Sequence, residues 1–358
     1  MSMSPNRPDR ATAQPELTAQ PESAAQPEST QPESAAQPES TAQPESMLTV
    51  LIAFGANLLI AIAKTVAAVL TGAASMLAEA AHSWADTGNE VFLYVAARRA
   101  VRPRDPRHPA GYGRDAYVWS LFAAFGLFAV GAGVSIMHGI QELLRPEPAE
   151  LFGVSYAVLG VAFVLEGTSF LQALRQSRRH ARESHRDLLD YVMGTSDPTL
   201  RAVFFEDAAA LIGLVIAFAG ILLHQITGSA VPDAVGSILV GVLLAVVAVV
   251  LIRQNRRFLV GVVVEPEVRA AAVQRLLAQP DIAQITYLHI EYVGPGRVFL
   301  VAAVDLEGDT PEHTVAARLN AIEDELARSP RVAWAVLTLS RPGAPALDPQ
   351  HPADPLVG

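Results

Sequence analysis

The chain has 358 residues, of which 51% are hydrophobic and 17% are charged, and its mean hydropathy is positive. An average soluble protein has about 25% charged residues, so this composition favours a membrane protein. The sequence contains no cysteine, which excludes disulfides, thiolate metal sites and cysteine nucleophiles. Any metal ion therefore needs His, Asp or Glu ligands. The net charge of −10, without a basic face, argues against nucleic acid as a partner.

Residues 1–46 repeat the triplet QPE and contain almost no side chain that a core would bury. They hold seven acidic residues and two arginines, which accounts for half of the net charge. Such a segment cannot offset the entropy of ordering, so we predict a disordered tail, with an interaction segment as the alternative.

Six apolar stretches follow the tail, and each has about the 20 residues that a membrane-spanning helix needs. Transmembrane barrel strands are about half as long and alternate in polarity, so we predict helices. The predicted spans are residues 47–69, 74–97, 117–140, 151–174, 200–223 and 231–252.

Arginines are concentrated in the segments after the second, fourth and sixth spans, within residues 98–114, 175–186 and 253–257. Short loops rich in Lys and Arg remain on the cytoplasmic side. We therefore expect both termini to be cytoplasmic, in a multi-pass protein of the plasma (cell inner) membrane.

The chain after the sixth span has the composition of a small soluble domain, with patterns in the order helix, strand, strand, helix, strand. We expect four regions: a disordered tail (1–46), a six-helix transmembrane domain (47–257), a cytoplasmic α+β domain (258–342) and a flexible C-terminal tail (343–358). The fold class is an all-α membrane domain followed by this small α+β domain.

The second span carries a polar stripe that lies on one face of a helix. An acidic side chain in the middle of a bilayer costs about 2.5–3.5 kcal/mol on insertion scales, so a compensating cation is expected. The stripe consists of Glu79, His82, Ser83, Asp86, Asn89 and Glu90.

His82 and Asp86 are one helical turn apart, so an imidazole nitrogen and a carboxylate oxygen can bind the same metal ion. The fifth span supplies a second acidic pair, Glu206 and Asp207. Two facing helices would then form a site of three or four ligands. Ser83 and other small polar residues are equally explained as hydrogen-bonding contacts between helices.

Three further polar residues lie inside predicted spans. Lys64 either extends towards the interface or pairs with an acid such as Glu79. Asn57 and Glu166 either line the transport path or brace the helices.

Four motifs follow one another along the chain: HSWAD in the second span, DPRHPAGYGR in the following loop, ED in the fifth span and DAVGSILVGVLL in the sixth. With these motifs in this order, the chain resembles the cation diffusion facilitator family, and its zinc-transporter-9-like branch in particular. The resemblance runs from about residue 47 to residue 341. It implies six membrane helices, a ferredoxin-like cytoplasmic domain and exchange of a divalent metal ion for protons.

The resemblance implies a transport site with two ligands from the second helix and two from the fifth. His82, Asp86 and Asp207 match three of these positions, whereas Val203 stands at the fourth and cannot bind a metal ion. Glu206 is the candidate substitute.

The family has a second metal site in the loop after the second span. Asp105 and His108 match two of its ligands, but Tyr112 stands at the third position, so a purely structural loop is the alternative. In the cytoplasmic domain the family's zinc positions hold Thr286, Ala302 and Thr338. We therefore expect this domain to form a homodimer without being a metal sensor.

We expect a transporter, not an enzyme, that exports a divalent cation from the cytoplasm in exchange for protons and needs no prosthetic group. Buried carboxylates tend to hold protons, which metal binding must displace. An imidazole ligand favours zinc, with iron, manganese, cobalt and nickel as alternatives. The competing hypotheses are a membrane-anchored interaction protein and a proton-coupled carrier of an organic cation.

Overall fold

The computed structural model describes residues 47–146 and 149–348, with side chains from residue 54 onward. The predicted disordered tail (1–46) and residues 349–358 of the predicted C-terminal tail lie outside the described residues.

Residues 47–260 form a bundle of mostly long helices, in agreement with the predicted fold class. The third span is interrupted by a short π-helical segment between α3 and α4. The helices are α1 (Met47–Thr71), α2 (Ala74–Ala100), α3 (Asp115–Gly126), the π-helical segment (Leu127–Ala132), α4 (Gly133–Leu144), α5 (Phe152–Glu183), α6 (Leu188–Gly194), α7 (Pro198–Thr227) and α8 (Val231–Val260).

Within residues 47–146 and 149–348, five segments are long and apolar enough to cross a membrane by length and composition: Phe54–Thr71, Asp115–Leu144, Phe152–Glu183, Pro198–Thr227 and Val231–Val260. The sixth long helix, α2, is not among them because of its polar stripe. It packs against α1, α3, α7 and α8, so much of the stripe faces other helices.

Helix α5 is longer than the predicted fourth span. Four of the five arginines expected in the following loop lie instead in the helix, which continues to Glu183. Arginine and alanine are good helix formers, and nothing in this stretch interrupts the helix before His185, which has a positive φ of 51°. The hydrophobic span therefore marks the membrane crossing and not the end of the helix.

The motif of the sixth span positions two other helices. At the start of α8, Asp233 accepts hydrogen bonds from the backbone N–H groups of Ala74 (2.6 Å) and Ser75 (3.2 Å) and so caps α2. Further along, a Cβ atom at Gly241 would lie 3.0 Å from the carbonyl oxygen of Ala132. Small residues thus let α8 pack closely against the third span.

The C-terminal domain is formed by α9 (Pro266–Leu277), β1 (Ile282–Gly294), β2 (Arg297–Leu306), α10 (Glu312–Ala327) and β3 (Val332–Leu339). Strands β1 and β2 are antiparallel, β2 and β3 are parallel, and the sheet order is β1-β2-β3. Leu276 of α9 and Leu326 of α10 join the strand residues in one core. The predicted order of helices and strands is present.

The C-terminal domain contacts the loop between α2 and α3. A Cβ atom at Gly113 would lie 2.4 Å from the carbonyl oxygen of Val293, so only glycine permits this approach. Arg114 donates to Glu291 at 2.9 Å beside it. The C-terminal end of α2 therefore lies at the end of the bundle next to this domain, which we call the domain end; the opposite end is the far end.

Candidate metal site

His82 and Asp86 lie together on α2, as their spacing predicts. Nε2 of His82 is 3.3 Å from Oδ2 of Asp86, and only 1% of the His82 side chain is exposed. Both ring nitrogens of His82 and Oδ1 of Asp86 are buried and have no hydrogen-bond partner among the described residues. A buried polar atom without a partner costs about 1–3 kcal/mol, so these three atoms are available to a ligand.

The acidic pair of α7 points in two directions, because adjacent residues on a helix are about 100° apart. Glu206 is buried and accepts a hydrogen bond from Nδ2 of Asn89 on α2 at 2.9 Å. Asp207 accepts one from the hydroxyl of Ser169 on α5 at 2.7 Å. Each carboxylate is thus held by a neutral donor from a different helix.

The structure does not bring all the predicted ligands into one coordination shell. Within residues 47–146 and 149–348, no group of three or more His, Asp or Glu side chains is close enough to hold a metal ion. Asp86 nevertheless interacts electrostatically with Glu206, Glu166 and Asp207. The carboxylates of α2, α5 and α7 are thus close enough for their charges to interact, but each has a separate partner.

The loop between α2 and α3 places Asp105, His108 and Tyr112 together. Oδ1 of Asp105 accepts hydrogen bonds from the backbone N–H groups of Arg107 (2.9 Å) and His108 (2.8 Å). Oδ2 accepts a third bond from the hydroxyl of Tyr112 at 2.7 Å. The imidazole of His108 lies 3.3 Å from Oδ1 of Asp105 and packs against the Tyr112 ring, with 4.0 Å between ring centroids.

These donors lower the pKa of Asp105 to about 2, with the Tyr112 hydroxyl as the largest cause and the backbone N–H groups of His108 and Arg107 adding to it. The same hydrogen bond raises the pKa of Tyr112. Asp105 therefore stays ionised at neutral pH with both oxygens already engaged. In this geometry, hydrogen bonds from within the loop engage both carboxylate oxygens of Asp105, an arrangement that we call closed.

Sequence reasoning found Lys64 and Glu166 but left their roles open. In the structure Nζ of Lys64 donates to Oε2 of Glu79 at 2.9 Å and to Oε1 of Glu166 at 2.7 Å, with Lys64 fully buried. Lys64 thus pairs with acids and does not extend to the interface. Asn57 donates to Glu90 on the next helix. The signal in the sequence was the presence of charge inside apolar spans; the partners come from three different helices.

Comparison with known proteins identifies the transmembrane part. Residues 50–260 match the family model described as the cation efflux transmembrane domain. The chain is 36% identical over 259 residues to the proton-coupled zinc antiporter SLC30A9, mitochondrial, of Homo sapiens, which covers 72% of this chain and 46% of that protein. It is 32% identical over 260 residues to metal tolerance protein C4 of Arabidopsis thaliana, covering 73% and 55%.

A bacterial relative is also similar: the cation-efflux pump FieF of Shewanella oneidensis is 32% identical over 154 residues, covering 43% of this chain and 49% of that protein. The chain thus spans about half the length of the curated relatives it matches.

The names of these relatives correct one prediction. The arginine distribution led to an expected plasma (cell inner) membrane location, whereas the SLC30A9 relatives are named mitochondrial. The prediction of the plasma membrane is wrong by this comparison, because positive loops report which side of a bilayer a segment occupies and not which membrane holds it. That the chain crosses a membrane several times is supported.

The family model covers more than half of the chain, and the HSWAD motif, the ED pair and the motif of the sixth span all lie within it. Its members are transporters of metal cations and not enzymes. The chain belongs to the cation efflux family, which is the cation diffusion facilitator family that the sequence motifs indicate.

Proposed function

We propose that this chain exchanges a divalent metal cation for protons across a membrane, with zinc as the first candidate. Family membership supports cation efflux, and the name of the SLC30A9 relatives as proton-coupled zinc antiporters supports both the counter-ion and the metal. Manganese, iron, cobalt and nickel are the alternatives, since mixed nitrogen and oxygen ligands accept them as well. Export from the side that holds the C-terminal domain is the direction we propose.

The observation that carries the proposal is the set of unpartnered atoms at His82 and Asp86. A histidine kept only for packing normally has a hydrogen bond to at least one ring nitrogen when it is buried. Here both nitrogens of a 99%-buried imidazole lack one among the described residues, next to a carboxylate oxygen in the same condition. A metal ion bound by Nε2 of His82 and the Asp86 carboxylate would satisfy two of these atoms.

Asp207 and Glu206 are the candidates that would complete the shell, with Glu206 in place of the ligand that Val203 cannot supply. Ser169 and Asn89 hold these carboxylates in the structure, so metal binding would exchange one hydrogen bond at each acid for a coordination bond. A side-chain rotation of this kind is small compared with the displacement of a helix. Ser169 and Asn89 would then act as holders of the metal-free state.

The same residues would couple metal to protons. A cluster of carboxylates and an imidazole in a site of low dielectric binds either a divalent cation or protons, because the metal needs deprotonated ligands. Protons displaced on one side of the membrane would be taken up again when the ion leaves on the other. Exchange follows because the two kinds of ion compete for one site.

The test is zinc transport by the full chain in proteoliposomes with an imposed pH gradient. We expect His82→Ala to reduce zinc flux to background while the pH gradient across the vesicle persists. His313→Ala, which removes an exposed histidine on α10, is the matched control and should transport normally. Undiminished flux in His82→Ala would reject the site, and a flux that ignores the pH gradient would reject proton exchange.

We also propose that the chain works as a homodimer joined through the C-terminal domain. In the part of the chain that the structure describes, the sheet has three strands, and Trp334 on its outer strand β3 is 41% exposed. An incomplete sheet with an exposed aromatic residue gains stability when a partner covers it. Light scattering of the detergent-purified chain should give twice the chain mass, and Trp334→Glu should reduce it to one.

A further inference from the structure

Lys64 is the only lysine in a sequence with 26 basic residues; all the others are arginines. This lysine lies inside a membrane-spanning helix and is fully buried. A chain that otherwise uses arginine for every positive charge thus places one ammonium group in the centre of its helix bundle. Arginine is a planar, bidentate donor, whereas lysine is a compact point charge on a flexible stem. A lysine at this position can therefore move its charge by rotating the bonds of its side chain.

Lys64 joins three helices through two carboxylates, Glu79 of α2 and Glu166 of α5. The distances are 2.9 Å to Oε2 of Glu79 and 2.7 Å to Oε1 of Glu166, with 0% and 15% of those side chains exposed. We call these three residues the lysine triad. The ammonium group lies where a metal ion held by the two carboxylates would lie.

The lysine triad has one ammonium group for two carboxyl groups. Its two remaining oxygens, Oε1 of Glu79 and Oε2 of Glu166, are buried and lack a hydrogen-bond donor among the residues described. If these ion pairs served only stability, we would expect every buried oxygen to have a hydrogen-bond donor. Otherwise apolar residues would replace the ion pairs, because such a replacement is often equally stable. The pair therefore has capacity left for a cation of higher charge.

The triad is continuous with the candidate metal site. Glu79 precedes His82 by three residues, which places both on one face of α2. Lys64 interacts electrostatically with His82 and Asp86. A Cβ atom at Gly213 of α7 would lie 2.6 Å from Oε1 of Glu79, so the glycine leaves the free oxygen its space. The triad thus lies on the far-end side of His82, next along the path of the ion.

We propose that the Glu79 and Glu166 carboxylates form a second cation site on the transport path, and that Lys64 is its tethered occupant. A divalent cation leaving His82 and Asp86 takes the place of the ammonium group, which swings aside on its flexible stem. When the ion departs, Lys64 returns and keeps the carboxylates compensated. The proposal rests on the proposed function, since it adds a step to the same path.

The first test is calorimetric titration of the full chain in detergent with zinc. Removing the tethered charge in Lys64→Met should add one bound zinc ion per chain, or tighten zinc binding at least about tenfold. At an effective ε of about 20, the repulsion between a nearby ammonium group and a cation corresponds to more than a tenfold change in affinity. Lys64→Met/Glu79→Gln should lose the additional ion. Equal stoichiometry and affinity in wild type and Lys64→Met would overturn the proposal.

A second measurement keeps the test decisive where Lys64→Met fails to fold. Because the chain has one lysine, labelling with ¹³C-lysine gives a single side-chain Cε signal in NMR. Zinc should shift this signal in the wild type, and the shift should saturate. A Cε signal that stays unchanged at zinc concentrations that saturate binding would contradict displacement of Lys64.

The variant Asp86→Ala separates this proposal from the proposed function. Loss of the first zinc ion in Asp86→Ala, with the additional ion retained in Lys64→Met/Asp86→Ala, supports two sites. If the wild type binds no zinc but Lys64→Met does, the zinc site at His82 and Asp86 fails, and Glu79 and Glu166 stand as a cation site without a place on the transport path. If zinc binds and is lost in Asp86→Ala, but neither Lys64→Met nor the NMR signal responds, the second site alone fails.

Discussion

The chain contains two segments with a metal-binding pattern, and they differ in whether their ligand atoms already have hydrogen-bond partners. On α2, His82 is buried and Asp86 is partly exposed, and three of their buried polar atoms are unpartnered among the described residues. In the loop after α2, Asp105 accepts three hydrogen bonds and both of its oxygens are engaged. Similar residue types therefore give an open ligand set inside the membrane and a closed one outside it.

The difference lies in where the hydrogen-bond donors come from. The loop bends back on itself, so its own backbone N–H groups and the Tyr112 hydroxyl reach Asp105. A helix cannot do this, because its backbone N–H groups are already bonded within the helix. Buried side chains on α2 depend on other helices or on an ion for partners. The unpartnered atoms on α2 are therefore our reason for proposing the ligand site there and not in the loop.

The largest expected effect is on zinc flux, and it distinguishes Asp86 from Asp105. Asp86→Ala should lower zinc flux in proteoliposomes by more than about 100-fold, since loss of even an outer-shell partner of a metal costs about 10- to 100-fold. Asp105→Ala should leave the flux within about twofold. Comparable losses of zinc flux in both variants would contradict this difference between the two acids, because they would place the loop on the transport path.

A second prediction separates the ligands from the scaffold that holds them. Asp233→Ala removes the cap from two buried backbone N–H groups of α2 and should lower the free energy of unfolding by about 2 kcal/mol. The melting temperature in detergent and the zinc flux should fall together. Asp233→Asn keeps an acceptor oxygen and is the milder control. Asp86→Ala, in contrast, should lose flux at an unchanged or raised melting temperature.

The third prediction is that one substitution in the loop after α2 creates a metal site there. Tyr112→His removes the hydroxyl that occupies Oδ2 of Asp105 and supplies the third ligand that the family resemblance implies. Calorimetry should then detect one additional zinc ion per chain, which Tyr112→His/His108→Ala should lose. Tyr112→Phe, which frees Asp105 without adding a ligand, should bind no additional zinc. Failure of Tyr112→His to bind zinc would show that the backbone of the loop, and not Tyr112, closes the site.

The smallest expected effect concerns the charge of the loop. Tyr112→Phe should raise the pKa of Asp105 from about 2 towards its ordinary value of 3.8, because the Tyr112 hydroxyl is the largest cause of the shift. A pKa lowered by folding stabilises the loop above the ordinary pKa, and this contribution is lost as pH falls towards 2. The pKa is measured by following the carboxyl ¹³C signal of Asp105 as the pH is changed. Arg107→Ala keeps its backbone N–H and should leave the pKa unchanged.

The helical fold and the polar face of α2 were predictable from sequence, because both depend on local spacing. Twenty apolar residues in a row define a span, and residues three or four apart share a helix face. The same local geometry predicts that His82 and Asp86 approach each other, and the structure has them 3.3 Å apart. The order of elements in the C-terminal domain follows equally from local patterns.

Tertiary structure alone decided which groups on different helices meet. Lys64 with Glu79 and Glu166, Asn89 with Glu206, and Ser169 with Asp207 are contacts between residues far apart in sequence. Their pairing depends on how the helices rotate and pack, which small residues and the Asp233 cap of α2 determine. Local periodicity contains no information on that rotation. The sequence by itself thus determined which residues face the centre of the bundle, and the packing of the helices decided which of them are paired and which are left free for an ion.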